Sequence, residues 1–133
     1  MSRRGFLKGL LGLTLLPLTG RAGAQASNRR LILQTSPVAG FQYYDGERLF
    51  SELAEGDLLE LRREPDNRYD RKAVEVYWKG RKLGYLPRVE NYSISQMLDR
   101  GERLACRVTE LGNGPSPRGR VKIEVSMLLS LSC

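Results

Sequence analysis

Residues 73–86 read Ala73-Val74-Glu75-Val76-Tyr77-Trp78-Lys79-Gly80-Arg81-Lys82-Leu83-Gly84-Tyr85-Leu86, and the period of this stretch decides the fold class. Val74, Val76 and Trp78 recur at every second position, which gathers them on one face of an extended chain and scatters them around a helix. Lys79-Gly80 supplies a two-residue turn and Lys82 to Leu86 returns, so a β-hairpin is predicted. Pro87 has no N–H for a ladder and ends the second strand.

Working outward, Asp57 to Glu64 holds Leu58, Leu59 and Leu61 and breaks at Pro65-Asp66-Asn67, which predicts a strand running into a turn. Glu47 to Ala54 carries Leu49, Phe50 and Leu53 at helical spacing and stops before Gly56, a short helix. Further upstream, Leu31 to Thr35 is an apolar strand, and Phe41-Gln42-Tyr43-Tyr44 reads as another after the turn at residues 37–40. Downstream, Ser93 with Gln96 forms a capping-box pattern ahead of Ile94, Met97 and Leu98, and Gly101 is the stop of that helix. Leu104, Cys106 and Val108 alternate, residues 112–117 form a Gly- and Pro-rich loop, and Val121, Ile123, Val125, Met127, Leu129 and Leu131 alternate again. The expected protein is mainly β: a small OB-like antiparallel β-barrel of about six strands with one or two short helices.

The N-terminus has a different character. Ser2-Arg3-Arg4-Gly5-Phe6-Leu7-Lys8 precedes a run from Gly9 to Thr19 that is apolar apart from two threonines, and small residues follow up to Ala26. The run is shorter than the roughly 20 residues that span a bilayer, so a cleaved signal peptide is expected and an integral membrane span is not. Arg3-Arg4 with Phe6-Leu7-Lys8 resembles the twin-arginine export signal, and Arg21 resembles its extra basic residue. Two segments follow: a twin-arginine-type signal peptide over residues 1–26, cleaved after Ala26, and a periplasmic domain over residues 27–133.

The chain has 133 residues, no histidine, and 22 Lys plus Arg against 15 Asp plus Glu, a net charge of +7. Cleavage removes Arg3, Arg4, Lys8 and Arg21, leaving 18 basic residues and a charge of +3 on 107 residues. With 41% hydrophobic and 28% charged residues the composition is that of a globular domain. Without histidine the usual proton shuttle and the commonest zinc ligand are missing, and two cysteines cannot build a structural zinc site, so no catalytic residue, cofactor or zinc is expected. If Leu111 lies opposite Arg120 in the last hairpin, Cys106 faces Val125 and Cys133 lies eight residues further, roughly 27 Å at strand rise. A disulfide needs Cα atoms within about 7 Å. Cys106 is therefore read as a core thiol and Cys133 as a terminal one able to cross-link a dimer.

From Arg62 to Arg88 nine basic residues face four acidic ones, and all nine aromatics outside the signal fall between Phe41 and Tyr92. Rings beside cations suit single-stranded nucleic acid, because bases stack while ammonium and guanidinium groups neutralise phosphates. Solvated hairpin charges and packed tyrosines are the plainer reading of the same pattern.

The order of the residues is more specific. Glu64-Pro65-Asp66-Asn67-Arg68-Tyr69-Asp70-Arg71-Lys72-Ala73, the Gly84-Tyr85-Leu86-Pro87 strand end and the upstream Gly40-Phe41-Gln42-Tyr43-Tyr44 together resemble the HIRAN domain, over residues 31 to about 111. The resemblance implies an OB-like barrel that binds single-stranded DNA at a free 3′ end. It casts Tyr43 and Tyr69 as the rings that hold terminal bases, Asp70 as acceptor for the 3′-hydroxyl, and Tyr85 at a position where the family has a histidine or aromatic. Arg68, Arg71 and Lys72 are candidates for phosphate. Gln42 departs from the arginine that DNA-binding members carry beside the aromatic, and Lys72 from an asparagine common after Tyr-Asp. Asn67 and Asp70 also suit a plain role as caps of the turn after Pro65. Two functions follow: a non-catalytic binder of single-stranded DNA or DNA 3′ ends, or an exported envelope adaptor for another anionic polymer or a protein partner.

Overall fold

The computed structural model describes residues 28–114 and 119–130. The signal peptide read over residues 1–26 and the terminal Cys133 lie outside the described residues. The chain divides into one unit of Arg30–Leu128 and a second of Met1–Arg29 with Leu129–Cys133. Of the second unit, the strand ends Asn28–Arg29 and Leu129–Ser130 are described.

The described residues form six strands: β1 (Asn28–Pro37), β2 (Leu58–Arg63), β3 (Val74–Trp78), β4 (Arg81–Tyr85), β5 (Leu104–Leu111) and β6 (Val121–Ser130). They make one sheet in the order β1-β6-β5-β2-β3-β4. Pairing is antiparallel between β2 and β3, β2 and β5, β3 and β4, and β5 and β6. Two short helices accompany it, α1 (Gly46–Leu49) and α2 (Tyr92–Asp99), with single 3₁₀ turns at Phe41–Tyr43, Phe50–Glu52 and Arg88–Glu90.

The hairpin is where the alternation put it. Val74, Val76 and Trp78 are 0%, 0% and 6% exposed, and they pack with Leu83, Leu86, Cys106, Val108, Ile123 and Val125 in one core. The two ends of the sheet are tied by the residues just after β1. Val38 N–H donates to Val121 O at 2.9 Å, and Ala39 exchanges both backbone hydrogen bonds with Tyr85, at 2.7 and 2.9 Å. Gly84 makes that approach possible. A Cβ on Gly84 would stand 2.3 Å from the Ala39 carbonyl oxygen and 2.7 Å from Val38 Cγ1, so any side chain pushes the closing seam apart.

Three expectations are corrected. Phe41–Tyr43 is a 3₁₀ turn, not a strand: Gly40 takes φ 71°, and Tyr43 N–H returns to Gly40 O at 2.9 Å. The driving contact is Phe41, 1% exposed and edge-on to Phe50 with centroids 6.2 Å apart. Burying that ring turns the chain inward and leaves Tyr43 outside. Second, α2 starts at Tyr92 with Asn91 as N-cap, and no side chain caps it; Ser93 lies inside the helix. The capping box fails because the helix begins one residue before Ser93, which places that side chain inside the first turn. Third, Cys106 does pair with Val125, but the register slips between Val108 and Glu110, so Leu111 faces Val121 and not Arg120. The cause is a bulge at Thr109, one extra residue in β5.

Candidate nucleic-acid interface

The link between β2 and β3, residues 64–73, is shaped by its own side chains. Asn67 Oδ1 accepts the backbone N–H groups of Tyr69 and Asp70 at 2.8 and 3.0 Å, and Asp70 Oδ1 accepts that of Lys72 at 3.0 Å. Both residues therefore cap the turn, as Asn and Asp do in Asx-turns. Arg63 staples the same turn from β2, donating to the carbonyls of Ala73 at 2.7 Å and Arg71 at 2.9 Å while pairing with Asp99 of α2 at 2.9 Å. So held, the turn presents Tyr69 with 77% of its surface exposed.

Across from it, the 3₁₀ turn presents Tyr43, 75% exposed. Tyr43 and Tyr69 line one open cavity of about 370 Å³ together with Gly40, Tyr44, Asn67, Asp70, Tyr85 and Arg88. The closing seam builds this cavity: Ala39 joins Gly40-Phe41-Gln42-Tyr43 to β4, so the 3₁₀ turn stands beside the β2–β3 turn. Of the residues expected from sequence, Tyr43, Tyr69, Asp70 and Tyr85 come together here. Arg68 and Arg71 line an adjoining hollow with Pro65, Asp66 and Asn67, Asn67 being shared by both. Gln42 lies on a third hollow with Tyr43. Lys72 sits apart, its ammonium 5.9 Å from the centroid of the Tyr92 ring.

The model of the HIRAN domain matches residues 33–131. The chain belongs to the HIRAN domain family. Among curated proteins none matches it. A crystal structure of a protein from Lactobacillus plantarum is similar, with 29% identity, TM-score 0.66, and 76% of this chain covering 97% of that one. The HIRAN domain of human HLTF is similar in fold, with 19% identity, TM-score 0.59, and coverage of 78% and 81%.

The wall of this HIRAN domain's cavity is held by a half-buried polar chain that sequence reasoning missed. Tyr85 Oη donates to Glu64 Oε1 at 2.6 Å and accepts from Lys82 Nζ at 2.8 Å; Asn67 also donates to Glu64, and Lys82 pairs with Glu75 at 3.1 Å. Lys82 Nζ lies 4.3 and 4.1 Å from the centroids of the Tyr44 and Tyr85 rings. Burial, then the bond to Glu64, push the Tyr85 phenol up to about 12. The bonds from Tyr85 and then Asn67 hold the Glu64 carboxyl below its ordinary value. Burial opposes charge on Lys82, yet Tyr85 and Glu75 keep its ammonium above the usual lysine range. Tyr85 is thus a neutral donor locked in place.

This wiring redistributes the basic cluster of the HIRAN domain. Arg62 pairs with Glu60, Arg81 with Asp45, Lys82 with Glu75 and Arg63 with Asp99. Among the described residues of this cluster Arg68, Arg71, Lys72, Lys79 and Arg88 make no ion pair. Of these, Arg88 on the cavity and Arg68 and Arg71 on the hollow next to it carry the free positive charge of the site, while Lys72 and Lys79 lie over the rings of Tyr92 and Trp78. Tyr44 and Arg88 were absent from the expected site; Tyr44 was legible as a neighbour of Tyr43, whereas Arg88 follows the strand end and enters only through barrel closure.

Proposed function

We propose that this chain is a non-catalytic nucleic-acid-binding module that takes single-stranded DNA at a free 3′ end. The observation that carries the reading is the pair of solvent-facing rings, Tyr43 and Tyr69, on one cavity with the carboxylate of Asp70. An exposed tyrosine pair contributes little to the core, and each ring offers a face to a base. Asp70 serves the turn with Oδ1 and still has lone pairs for a hydroxyl proton, while a terminal phosphate meets a like charge there. Arg88, Arg68 and Arg71 supply cations for the internucleotide phosphates. Among the described residues no group of His, Cys, Asp or Glu is arranged to hold a metal, and no helix is long and apolar enough to cross a membrane.

Fluorescence anisotropy with short single strands ending in a 3′-hydroxyl or a 3′-phosphate, across a salt series, tests this. Tighter binding of the hydroxyl end, lost in Tyr69→Ala and Asp70→Ala, is expected. Equal binding of the 3′-phosphate strand overturns end recognition and leaves a general anion-binding surface, the exported adaptor. We place the domain in the periplasm on the strength of Arg3-Arg4 and Phe6-Leu7-Lys8. Replacing both arginines by lysine is expected to retain the chain in the cytoplasmic fraction.

A further inference from the structure

Asn91 is 1% exposed and stands at the N-cap of α2, where its side-chain oxygen would ordinarily accept a backbone N–H of the first turn. It does not. Asn91 Nδ2 donates instead to Asp70 Oδ2 at 2.7 Å, and Asn91 Oδ1 is left buried without a hydrogen-bond partner. The amide cannot be turned over, because a carboxylate only accepts and the reverse orientation would set two acceptors face to face. A buried orphan oxygen and a forgone helix cap both weigh against stability, so the orientation calls for an explanation outside the helix.

The surroundings fix Asn91 firmly. Just before it, Glu90 accepts from Ser36 Oγ at 2.7 Å on its side chain and from Gln34 Nε2 at 3.0 Å on its carbonyl, which ties the segment to β1. Asp70 is thereby gripped from two elements, its own turn through Lys72 N–H on Oδ1 and the α2 start through Asn91 on Oδ2. With one donor on each oxygen the carboxylate plane is set, and the remaining lone pairs have fixed directions.

We propose that Asn91 is the positioning residue for 3′-hydroxyl recognition: it aims the Asp70 carboxylate on the cavity and so determines the preference for a hydroxyl-bearing end. This rests on the end-recognition reading above. Without Asn91 one oxygen is released, the group turns about its own bond, and the acceptor no longer meets the terminal hydroxyl. Stacking on Tyr43 and Tyr69 is untouched, so overall DNA affinity survives while the hydroxyl preference falls.

The experiment measures anisotropy of matched strands ending in a 3′-hydroxyl or a 2′,3′-dideoxy sugar, ends that differ by one neutral group. In Asn91→Leu, of similar volume without the donor, the preference seen in wild type is expected to fall by about tenfold, the factor carried by one hydrogen bond to a charged group. Asn91→Asp supplies a readout that a merely structural role would not move. Two carboxyls facing each other share a proton, so this variant is expected to prefer the hydroxyl end at about pH 5 and to lose the preference at about pH 8. The other charged or ionisable side chains around Asp70 are Arg88, Tyr43, Tyr44, Tyr69 and Tyr85 on the cavity, Arg68, Arg71 and Lys72 on its turn, Arg63 bonded to that turn from β2, and Glu90 beside Asn91, and wild type at both pH values is the baseline for them. Wild type without any hydroxyl preference overturns the end-recognition reading and this proposal with it. Wild-type preference together with an unchanged preference in a folded Asn91→Leu overturns the proposal alone. Should Asn91→Leu not fold, a preference in Asn91→Asp that is the same at both pH values overturns it equally.

Discussion

Replacing Gly84 by alanine attacks the seam on which the cavity depends. The added methyl would sit 2.3 Å from the Ala39 carbonyl oxygen and 2.7 Å from Val38 Cγ1, about an ångström inside ordinary contact, and both neighbours are backbone or core with no flexible end to yield. Relief requires Ala39 to move off β4, which breaks the hydrogen bonds Ala39 N–H to Tyr85 O and Tyr85 N–H to Ala39 O, 2.7 and 2.9 Å long. Two such bonds are worth about 1–3 kcal/mol net, and the misfit adds about 1–3 kcal/mol, so a loss of about 2–6 kcal/mol is expected. At a urea slope of about 1.5 kcal/mol/M the midpoint falls by more than about 1 M. Because Tyr43 follows the seam, DNA affinity drops as well. Urea unfolding with amide hydrogen exchange at Ala39 and Tyr85 checks this. A midpoint within about 0.5 M of wild type, with both amides still protected, refutes the argument that close backbone approach dictates glycine here.

Tyr43→Ala and Tyr69→Ala remove rings that are 75% and 77% exposed, so stability should change by less than about 0.5 kcal/mol while each weakens single-stranded DNA binding by about 1–3 kcal/mol, measured by anisotropy beside a thermal melt. Arg63→Met keeps the aliphatic stem but removes the guanidinium bonds to the carbonyls of Ala73 and Arg71, Ala73 O keeping its bond from Glu64 N–H; the turn should loosen, costing about 2–4 kcal/mol and lowering the hydrogen-exchange protection of Tyr69 and Asp70. The Cys106 thiol is pushed from 9.0 up to about 12 by burial and then by Glu124. The folded state therefore keeps its proton where the unfolded state loses it, and the stability from this group is fully present below about pH 9 and lost as pH rises toward about 12. Cys106→Ala should flatten that decline, and wild-type Cys106 should react with a thiol reagent only as fast as the domain unfolds.

Much of this domain is determined by residues that act locally. The period of two in Val74, Val76 and Trp78 specifies the central hairpin wherever the rest of the chain lies, because alternation on an extended backbone needs no partner to be read. Tyr69 and Asp70 were recognisable for the same reason: the Asn67 and Asp70 caps that shape their turn lie within a few residues, so motif and geometry coincide. Phe41–Tyr44 was misread because its aromatic run resembles a strand until Phe41 finds the core, and that decision belongs to Phe50 and Gly46, beyond any local pattern. The capping box at Ser93 failed likewise, since the chain enters the helix at Tyr92, directly after the 3₁₀ turn at Arg88–Glu90, and Ser93 falls inside the first turn. Charge followed the same division. Nine basic residues between Arg62 and Arg88 could be counted in the sequence, but apart from the local pair of Arg62 with Glu60 it is contacts between elements that decide which of them are neutralised. Closure of the barrel by Ala39 on Tyr85 is what brings Tyr43, Tyr69 and Arg88 to one cavity. Period and turn chemistry are properties of neighbours along the chain; the cavity, its free cations and the grip on Asp70 are properties of neighbours in space, and only the packed structure sets those.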